Sequence, residues 1–132
     1  MSFAAGRPLD GITVIDLGQY IAGPAAAMLL RDHGAEVIRI DPPGGPRWDS
    51  PANARLNHGK QLRELDLRRA RDVAEARALI GAADVVVENF RPGVKDRLGI
   101  DYESLRRINP RIVLASVSGF GQDGPYRERP GF

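Results

Sequence analysis

The sequence predicts an α/β fold, in the form of a Rossmann-like, doubly wound and mainly parallel sheet. Short runs of β-branched residues, such as residues 85–87, are typical of strands that are covered on both faces. Segments with helical periodicity lie between these runs, and strands that alternate with helices favour a parallel sheet. The chain has 132 residues, which is enough for one domain with a hydrophobic core.

The first predicted unit is a strand, a helix and a second strand. We expect the strands at residues 12–17 and 36–40 and the helix at residues 25–31. Pro24 suits the first position of that helix, because its missing N–H is not needed there. Gly34 suits the left-handed C-terminal cap. Such a βαβ unit has a right-handed crossover.

The middle of the chain shows weaker patterns. Residues 41–53 are rich in Pro and Gly and predict a loop without regular structure, of a length that is usually functional or mobile. A short strand is expected at residues 65–67 and a helix at residues 68–82. The apolar residues that share one face of this helix are Val73, Ala76, Leu79 and Ile80.

The last third repeats the alternation of strands and helices. A strand at residues 85–87 leads into a short helical segment that carries Lys95 and Arg97. A helix at residues 102–108 ends where Asn109 precedes a proline, and a further strand follows at residues 112–117. The Gly- and Pro-rich tail has no closing helix or strand, so we expect the chain to be the front third of a longer protein.

Composition excludes several functional classes. The net charge is +2, and the arginines are spread along the chain rather than clustered, which argues against nucleic-acid binding. The chain has no cysteine and two histidines, so we expect neither a disulfide nor a metal site. No run of 18 apolar residues and no signal-peptide pattern occur, from which we expect no membrane association and a cytoplasmic location.

The candidate site lies at the carboxyl ends of the predicted strands, where open α/β sheets bind ligands. Asn89 and Phe90 follow the strand at residues 85–87, and an amide beside an aromatic face suits a ligand with a base and phosphates. The first predicted helix points its positive end at the same mouth. Arg39 or Arg97 would add phosphate hydrogen bonds worth about 1.5–3 kcal/mol each, although a single arginine is more often a solvated surface residue.

A dinucleotide site is a less favoured alternative. Asp41 ends the second predicted strand, where a ribose-binding acid often lies. However, residues 18–23 read Gly-Gln-Tyr-Ile-Ala-Gly rather than Gly-x-Gly-x-x-Gly. Without the middle glycine the backbone does not approach a pyrophosphate closely, and no Walker sequence is present.

Four blocks, in order, resemble the class III CoA-transferases of the formyl-CoA and carnitine CoA-transferase type, a family that also contains the α-methylacyl-CoA racemases. The blocks are residues 8–24, 34–45, 84–99 and 109–126, and the third contains the string Val-Glu-Asn-Phe-Arg-Pro-Gly. The resemblance covers residues 8–132. It implies that residues 1–132 form the N-terminal, Rossmann-like CoA-binding segment of a larger CoA-transferase fold.

Matching to the family, residue by residue, implies a pocket for CoA or its thioester. The residues at matching positions are Gln19, Tyr20, Ala22, Asn89, Phe90, Arg97, Leu98, Gly119 and Phe120. The strand-end argument adds Arg39 and Ser118. Lys60 is a further candidate phosphate contact, because it lies where the family commonly has an Asn-Lys-Arg-Ser type of turn.

The resemblance also implies a reaction. CoA would pass from an acyl-CoA to a carboxylic acid in a homodimer of interlocked chains, through an aspartate that forms an acyl anhydride and then an aspartyl-CoA thioester. As we align the blocks, that aspartate lies beyond Phe132, so we assign no catalytic residue and expect the isolated segment to be inactive.

Two alternatives to a CoA-transferase remain. In the racemases, as we align them, a histidine that transfers a proton follows the glycine matching Gly131. Phe132 has no titratable group and therefore favours CoA transfer over racemisation. A racemase-type fragment and a non-catalytic CoA-binding remnant stay open.

Overall fold

The computed structural model describes residues 6–131 of the chain. Within this range lie five strands and five helices. The elements are β1 (Thr13–Asp16), α1 (Ala22–Asp32), β2 (Glu36–Asp41), α2 (Pro51–Asn57), β3 (Gln61–Glu64), α3 (Ala70–Gly81), β4 (Val85–Glu88), α4 (Val94–Leu98), α5 (Tyr102–Ile108) and β5 (Val113–Ser116). None of the helices in this range combines the length and the apolar character that crossing a bilayer requires.

All five strands are parallel and lie in the order β3-β2-β1-β4-β5. The central strand β1 pairs with β2 on one side and with β4 on the other, so Val14 lies opposite both Val37 and Val85. This arrangement confirms the predicted doubly wound α/β fold. Because the strands are parallel, their carboxyl ends meet at one edge of the sheet.

The sheet separates two apolar layers, because successive strand residues point to opposite faces. On one face Val14 and Val87 pack with Ala27 of α1. On the other face Ile15 packs with Ile80 of α3 and other buried side chains. The inner strands β1, β2 and β4 are therefore covered on both sides, which explains their apolar, β-branched residues.

The third strand differs from the prediction. The structure places β3 at Gln61–Glu64, whereas residues 65–67 leave the sheet for a turn in which Asp66 accepts the backbone N–H of Arg68. All four residues of β3 are exposed, because it is an edge strand. Its sequence therefore lacks the apolar run that marks a buried strand.

A helix also occupies the end of the expected loop. The hydroxyl of Ser50 accepts the backbone N–H of Asn53, and Pro51 takes the first position of α2. A Ser-Pro pair at these positions is a recognised start signal for a helix. Helix α1 begins at Ala22, so Pro24 is its third residue rather than its first. Gly34 follows the end of α1 at a φ of 114°, as its predicted left-handed role requires.

Helix α5 depends on an N-terminal cap. The Asp101 carboxylate accepts hydrogen bonds from the Ser104 hydroxyl at 2.7 Å and from the Ser104 N–H at 3.0 Å. Both bonds hold the pKa of Asp101 below its ordinary value, and the bond from the hydroxyl contributes more than the bond from the N–H. The cap fixes the helix that inserts the fully buried Leu105 into the core.

We expect Asp101→Ala to lower the free energy of unfolding by about 1 kcal/mol. Asp101→Asn, the matched control, keeps an acceptor but cannot ionise. Because the folded-state pKa is depressed, the charge of Asp101 stabilises the fold above the ordinary aspartate pKa, and this stabilisation is lost as the pH falls through the folded-state value. Urea unfolding at neutral and acidic pH checks this: the advantage of wild type over Asn must shrink in acid, and a constant difference would contradict it.

Candidate functional site

Every strand ends in a polar or acidic residue at the carboxyl edge of the sheet. The terminal residues are Asp16, Asp41, Glu64, Glu88 and Ser116. Asp16, Asp41 and Glu88 are at most 3% exposed. Buried carboxylates are tolerated when they are paired and hydrogen-bonded. The edge is therefore supported by ion pairs that lie beneath its loops.

The first ion-pair network surrounds Asp16. Its carboxylate accepts the N–H of Gly18 at 2.8 Å and the Nζ of Lys60 at 2.8 Å. Lys60 also donates to the carbonyl of Pro24 at 2.8 Å and to the Oδ1 of Asn57 at 2.9 Å. Burial lowers the pKa of Lys60, and the Asp16 carboxylate opposes this shift. The three N–H bonds of the ammonium thus all have internal acceptors.

Arg39 belongs to the same network. Its Nη1 donates to Asp16 at 3.3 Å and to the carbonyl of Gly18 at 3.1 Å. Its Nη2 lies 2.7 Å from the Oδ1 of Asp41 as an ion pair, without the alignment of a hydrogen bond. The side chains of Arg39 and Lys60 are 2% and 1% exposed. Both were expected to contact phosphate, but the structure turns them inward against these partners.

The loop between β1 and α1 is clamped by Asn89. The Asn89 Oδ1 accepts the N–H of Gln19 at 2.6 Å, and its Nδ2 donates to the Gln19 carbonyl at 2.7 Å. Gly18 and Gly23 close the loop, since a Cβ on Gly18 would lie 2.7 Å from the Cα of Gly23. Tyr20 is held at a φ of 59° and is 56% exposed. A non-glycine residue in this left-handed region is uncommon and clusters at functional sites.

The second network surrounds Glu88 and was missed by the sequence analysis. Its Oε2 accepts the N–H of Phe90 at 2.9 Å, and its Oε1 lies 3.3 Å from the Nζ of Lys95. Lys95 also donates to the Ser116 hydroxyl at 3.0 Å and to the Gln122 Oε1 at 2.9 Å. A glutamate that ends a buried strand needs a cation, and Lys95 on the next helix was the available signal.

The remaining predicted residues lie along the same edge. Phe90 and Leu98 pack against the larger apolar layer. Arg97 lies on α4 and is exposed. Ser118 is half-buried and is followed by the exposed Gly119 and Phe120.

The segment after β5 is held beside β4. The N–H of Val117 donates to the carbonyl of Glu88 at 2.8 Å, so Ser118 and its successors leave the sheet next to Asn89. Phe120 contacts Tyr126 edge to face, with ring centroids 6.0 Å apart. The edge therefore brings together three predicted segments: the loop at residues 18–23, the segment at residues 89–98 and the segment at residues 118–120.

Residues 6–131 form open cavities on their surface. One of about 380 Å³ adjoins the second network and is lined by Pro92, Gly93, Lys95, Asp96, Gln122, Arg127 and Glu128. One of about 220 Å³ lies on α5, away from the predicted site residues. Residues 6–131 contain no cluster of three or more His, Asp or Glu side chains able to hold a metal ion.

The chemistry of this edge is that of a binding surface. Helix α1 begins here without a side-chain cap and without an acidic residue in its first turn, so its free N–H groups favour an anion. Tyr20 and Phe120 offer exposed aromatic faces, and Arg97 offers a cation. The buried carboxylates Asp16, Asp41 and Glu88 are paired with cations of the chain.

Comparison with known proteins gives one consistent family. A family model described as CoA-transferase family III matches residues 9–132. The chain is 50% identical over 116 residues to the CoA-transferase/lyase DddD of Marinomonas sp. (strain MWYL1), covering 88% of this chain and 14% of that protein. It is 43% identical over 135 aligned positions to an acetyl-CoA:oxalate CoA-transferase of Acetobacter aceti, covering 95% of this chain and 35% of that protein.

Solved structures agree with the sequence comparisons. A CAIB/BAIF family protein from Brucella suis superposes with a TM-score of 0.90 at 39% identity, covering 96% of this chain and 37% of that chain. A hypothetical protein from Mycobacterium tuberculosis superposes with a TM-score of 0.89 at 38% identity, covering 96% and 38%. The chain thus spans about a third of the length of most of these proteins.

We expect Asn89→Ala to lower the free energy of unfolding by about 1–3 kcal/mol, because it leaves the N–H and carbonyl of Gln19 unpaired. Asn109→Ala is the matched control, since Asn109 bridges the Ala83 carbonyl and the Arg111 N–H at the opposite edge of the sheet. Amide hydrogen exchange separates the two variants: the Gln19 amide must lose protection in Asn89→Ala and keep it in Asn109→Ala. Equal protection of Gln19 in both variants would show that the clamp does not hold the loop.

Proposed function

This chain belongs to CoA-transferase family III, and from that premise we propose that it forms the CoA-binding part of an enzyme that moves CoA from an acyl-CoA thioester to a carboxylic acid. The relatives named as CoA-transferases support the reaction class. The observation that carries the proposal is the convergence of three predicted segments at one sheet edge. They are joined by the bonds from Asn89 to Gln19 and from Val117 to Glu88.

CoA combines an adenine base, phosphates and a long pantetheine arm. We propose that Tyr20 and Phe120 contact its base or arm, because both rings are about half exposed at the edge. Ala22 begins α1, whose uncapped N-terminus favours a phosphate. Arg97 supplies a second phosphate contact. Gln19, Leu98, Ser118 and Gly119 complete the walls between these groups.

Arg39 and Lys60 take a different part in the proposal from the one expected from sequence. Both hold Asp16, which in turn accepts the N–H of Gly18. We therefore propose that Arg39 and Lys60 position the loop at residues 18–23 through their contacts with Asp16. Loss of Lys60 would leave Asp16 with the weaker ion pair to Arg39, and loss of Arg39 would remove the cation beside Asp41; breaking such a buried ion pair costs several kcal/mol.

In the proposed reaction, a carboxylate oxygen of an aspartate attacks the thioester carbonyl and expels the CoA thiolate, which leaves a mixed anhydride. The thiolate then attacks the aspartyl carbonyl and releases the first acid, which forms an aspartyl-CoA thioester. The acceptor carboxylate attacks this thioester and expels CoA thiolate again. The thiolate finally attacks the acceptor's carbonyl in the new anhydride, giving the new acyl-CoA and the free aspartate. Three covalent intermediates, an anhydride, a thioester and a second anhydride, divide one difficult acyl transfer into easier steps.

We propose that the attacking aspartate comes from outside residues 1–132. In support, Asp16 and Asp41 are buried and held by Lys60 and Arg39. Asp66 accepts hydrogen bonds from Arg68, and these bonds lower the pKa of Asp66. Asp84, Asp96 and Asp123 match no nucleophile position in the family as we align it.

The partners belong to the proposal as well. We propose a cytoplasmic homodimer of interlocked chains that takes an acyl-CoA and a carboxylic acid. Phe132, which favours transfer over racemisation, lies outside the residues that the structure describes. Loss of α-deuterium from a 2-methylacyl-CoA in the complete protein would favour the racemase alternative.

We expect the chain to bind CoA. We expect Arg97→Ala to raise the dissociation constant about tenfold, which is the effect of losing one charge-assisted hydrogen bond. Arg107→Ala is the matched control, because Arg107 is also exposed but lies on α5, away from the carboxyl edge. Isothermal titration calorimetry with CoA measures both. Wild-type chain that binds no CoA, or equal weakening in both variants, would contradict the proposed site.

We expect the purified chain to exchange no CoA between a thioester and a free acid, because its aspartates do not supply the nucleophile. The measurement incubates acyl-CoA, chain and an isotopically labelled acid, and follows the label into acyl-CoA by mass spectrometry. A complete class III CoA-transferase under the same conditions is the positive control. Substantial turnover by the chain alone would overturn the assignment of the nucleophile.

A further inference from the structure

Lys95 joins three separate segments at the carboxyl edge. Its ammonium donates to Glu88 at the end of β4, to Ser116 at the end of β5 and to Gln122 in the segment after β5, at 3.3, 3.0 and 2.9 Å. Its side chain is 14% exposed, and that of Glu88 is 1% exposed. The ion pair is therefore shielded from solvent, where it is screened less than a surface pair.

The residue type at this position is informative. The chain has 19 basic residues, of which only Lys60 and Lys95 are lysines. Each donates hydrogen bonds to three acceptors, one of which is a buried carboxylate at the end of a strand. A compact ammonium directs three N–H bonds to acceptors around it, whereas a guanidinium is planar and directs its donors within one plane. The chain thus uses lysine where three acceptors surround one point.

The network spans both walls of the proposed site. Glu88 accepts the N–H of Phe90 through its other carboxylate oxygen, which fixes the start of the segment that carries Phe90. Ser116 and Gln122 flank Gly119 and Phe120 in sequence. One ammonium therefore ties the residues on both sides of the segment at 118–120 to the carboxylate that holds Phe90.

We propose that Lys95 is a positioning residue that latches the segment at residues 118–122 to the end of β4, and that this latch sets the shape of the CoA site. The proposal rests on the function proposed above, because the walls it joins are those assigned to CoA. Gln122 is exposed and lines the 380 Å³ cavity together with Lys95. The hydrogen bond from Lys95 to Gln122 can therefore be removed without disturbing the core.

Three variants of the full chain test the latch. Gln122→Ala removes only the arm to the exit segment. Asp123→Ala is its matched control, a neighbouring exposed side chain that makes no hydrogen bond within residues 6–131. Lys95→Arg keeps the charge but changes the geometry of the donors. The measurements are backbone ¹⁵N order parameters at Gly119 and Phe120, the dissociation constant of CoA and the midpoint of urea unfolding.

We expect Gln122→Ala to lower the order parameters of Gly119 and Phe120 from about 0.85 towards 0.6 and to weaken CoA binding about fivefold, with an unchanged unfolding midpoint. Asp123→Ala should match wild type, and Lys95→Arg should show the same losses as Gln122→Ala. Unchanged order parameters in Gln122→Ala, or full function of Lys95→Arg, would overturn the latch. If wild-type chain binds no CoA, the proposed function fails, and the order parameters alone decide the latch.

Discussion

Two carboxylates buried at the ends of neighbouring strands constrain the whole carboxyl edge. Asp16 ends β1 and Glu88 ends β4, and each is at most 1% exposed. An unpaired buried charge is very costly, so each requires a cation from another part of the chain. Lys60 and Lys95 meet this requirement. Each lysine also donates to neighbouring backbone or side-chain acceptors. The contacts that neutralise the carboxylates therefore also fix the shape of the loops.

The loops above these pairs are held by hydrogen bonds within the chain itself. Asp16 accepts the N–H of Gly18, and Asn89 holds both backbone groups of Gln19. Together they keep Tyr20 exposed with a left-handed backbone, a conformation that the surrounding structure must enforce. A surface organised in this way binds a ligand with a smaller entropic cost of ordering. Such a surface suits the CoA-binding role that we propose for this chain.

The sequence predicts most of the fold because the signals are local. Runs such as Val85–Glu88 and the apolar face of α3 mark buried elements directly. The edge strand β3 was misplaced because all its residues are exposed. The inward turn of Lys60 was not predictable, because its partner Asp16 lies 44 residues away. Only the strand order β3-β2-β1 brings these two residues together. Family resemblance indicated the segments of the proposed site, but it did not reveal the ion pairs that support them.

The proposed CoA site is tested most directly by mapping CoA binding on the ¹⁵N-labelled chain by chemical-shift perturbation. We expect shifts at the backbone amides of residues 19–22, 89–90 and 118–120, all at the carboxyl edge. Amides at the opposite edge, such as those of Thr13 and Ala83, should stay in place. Shifts concentrated at that opposite edge or on α5, or the absence of any shift at saturating CoA, would contradict the claim that this edge binds CoA.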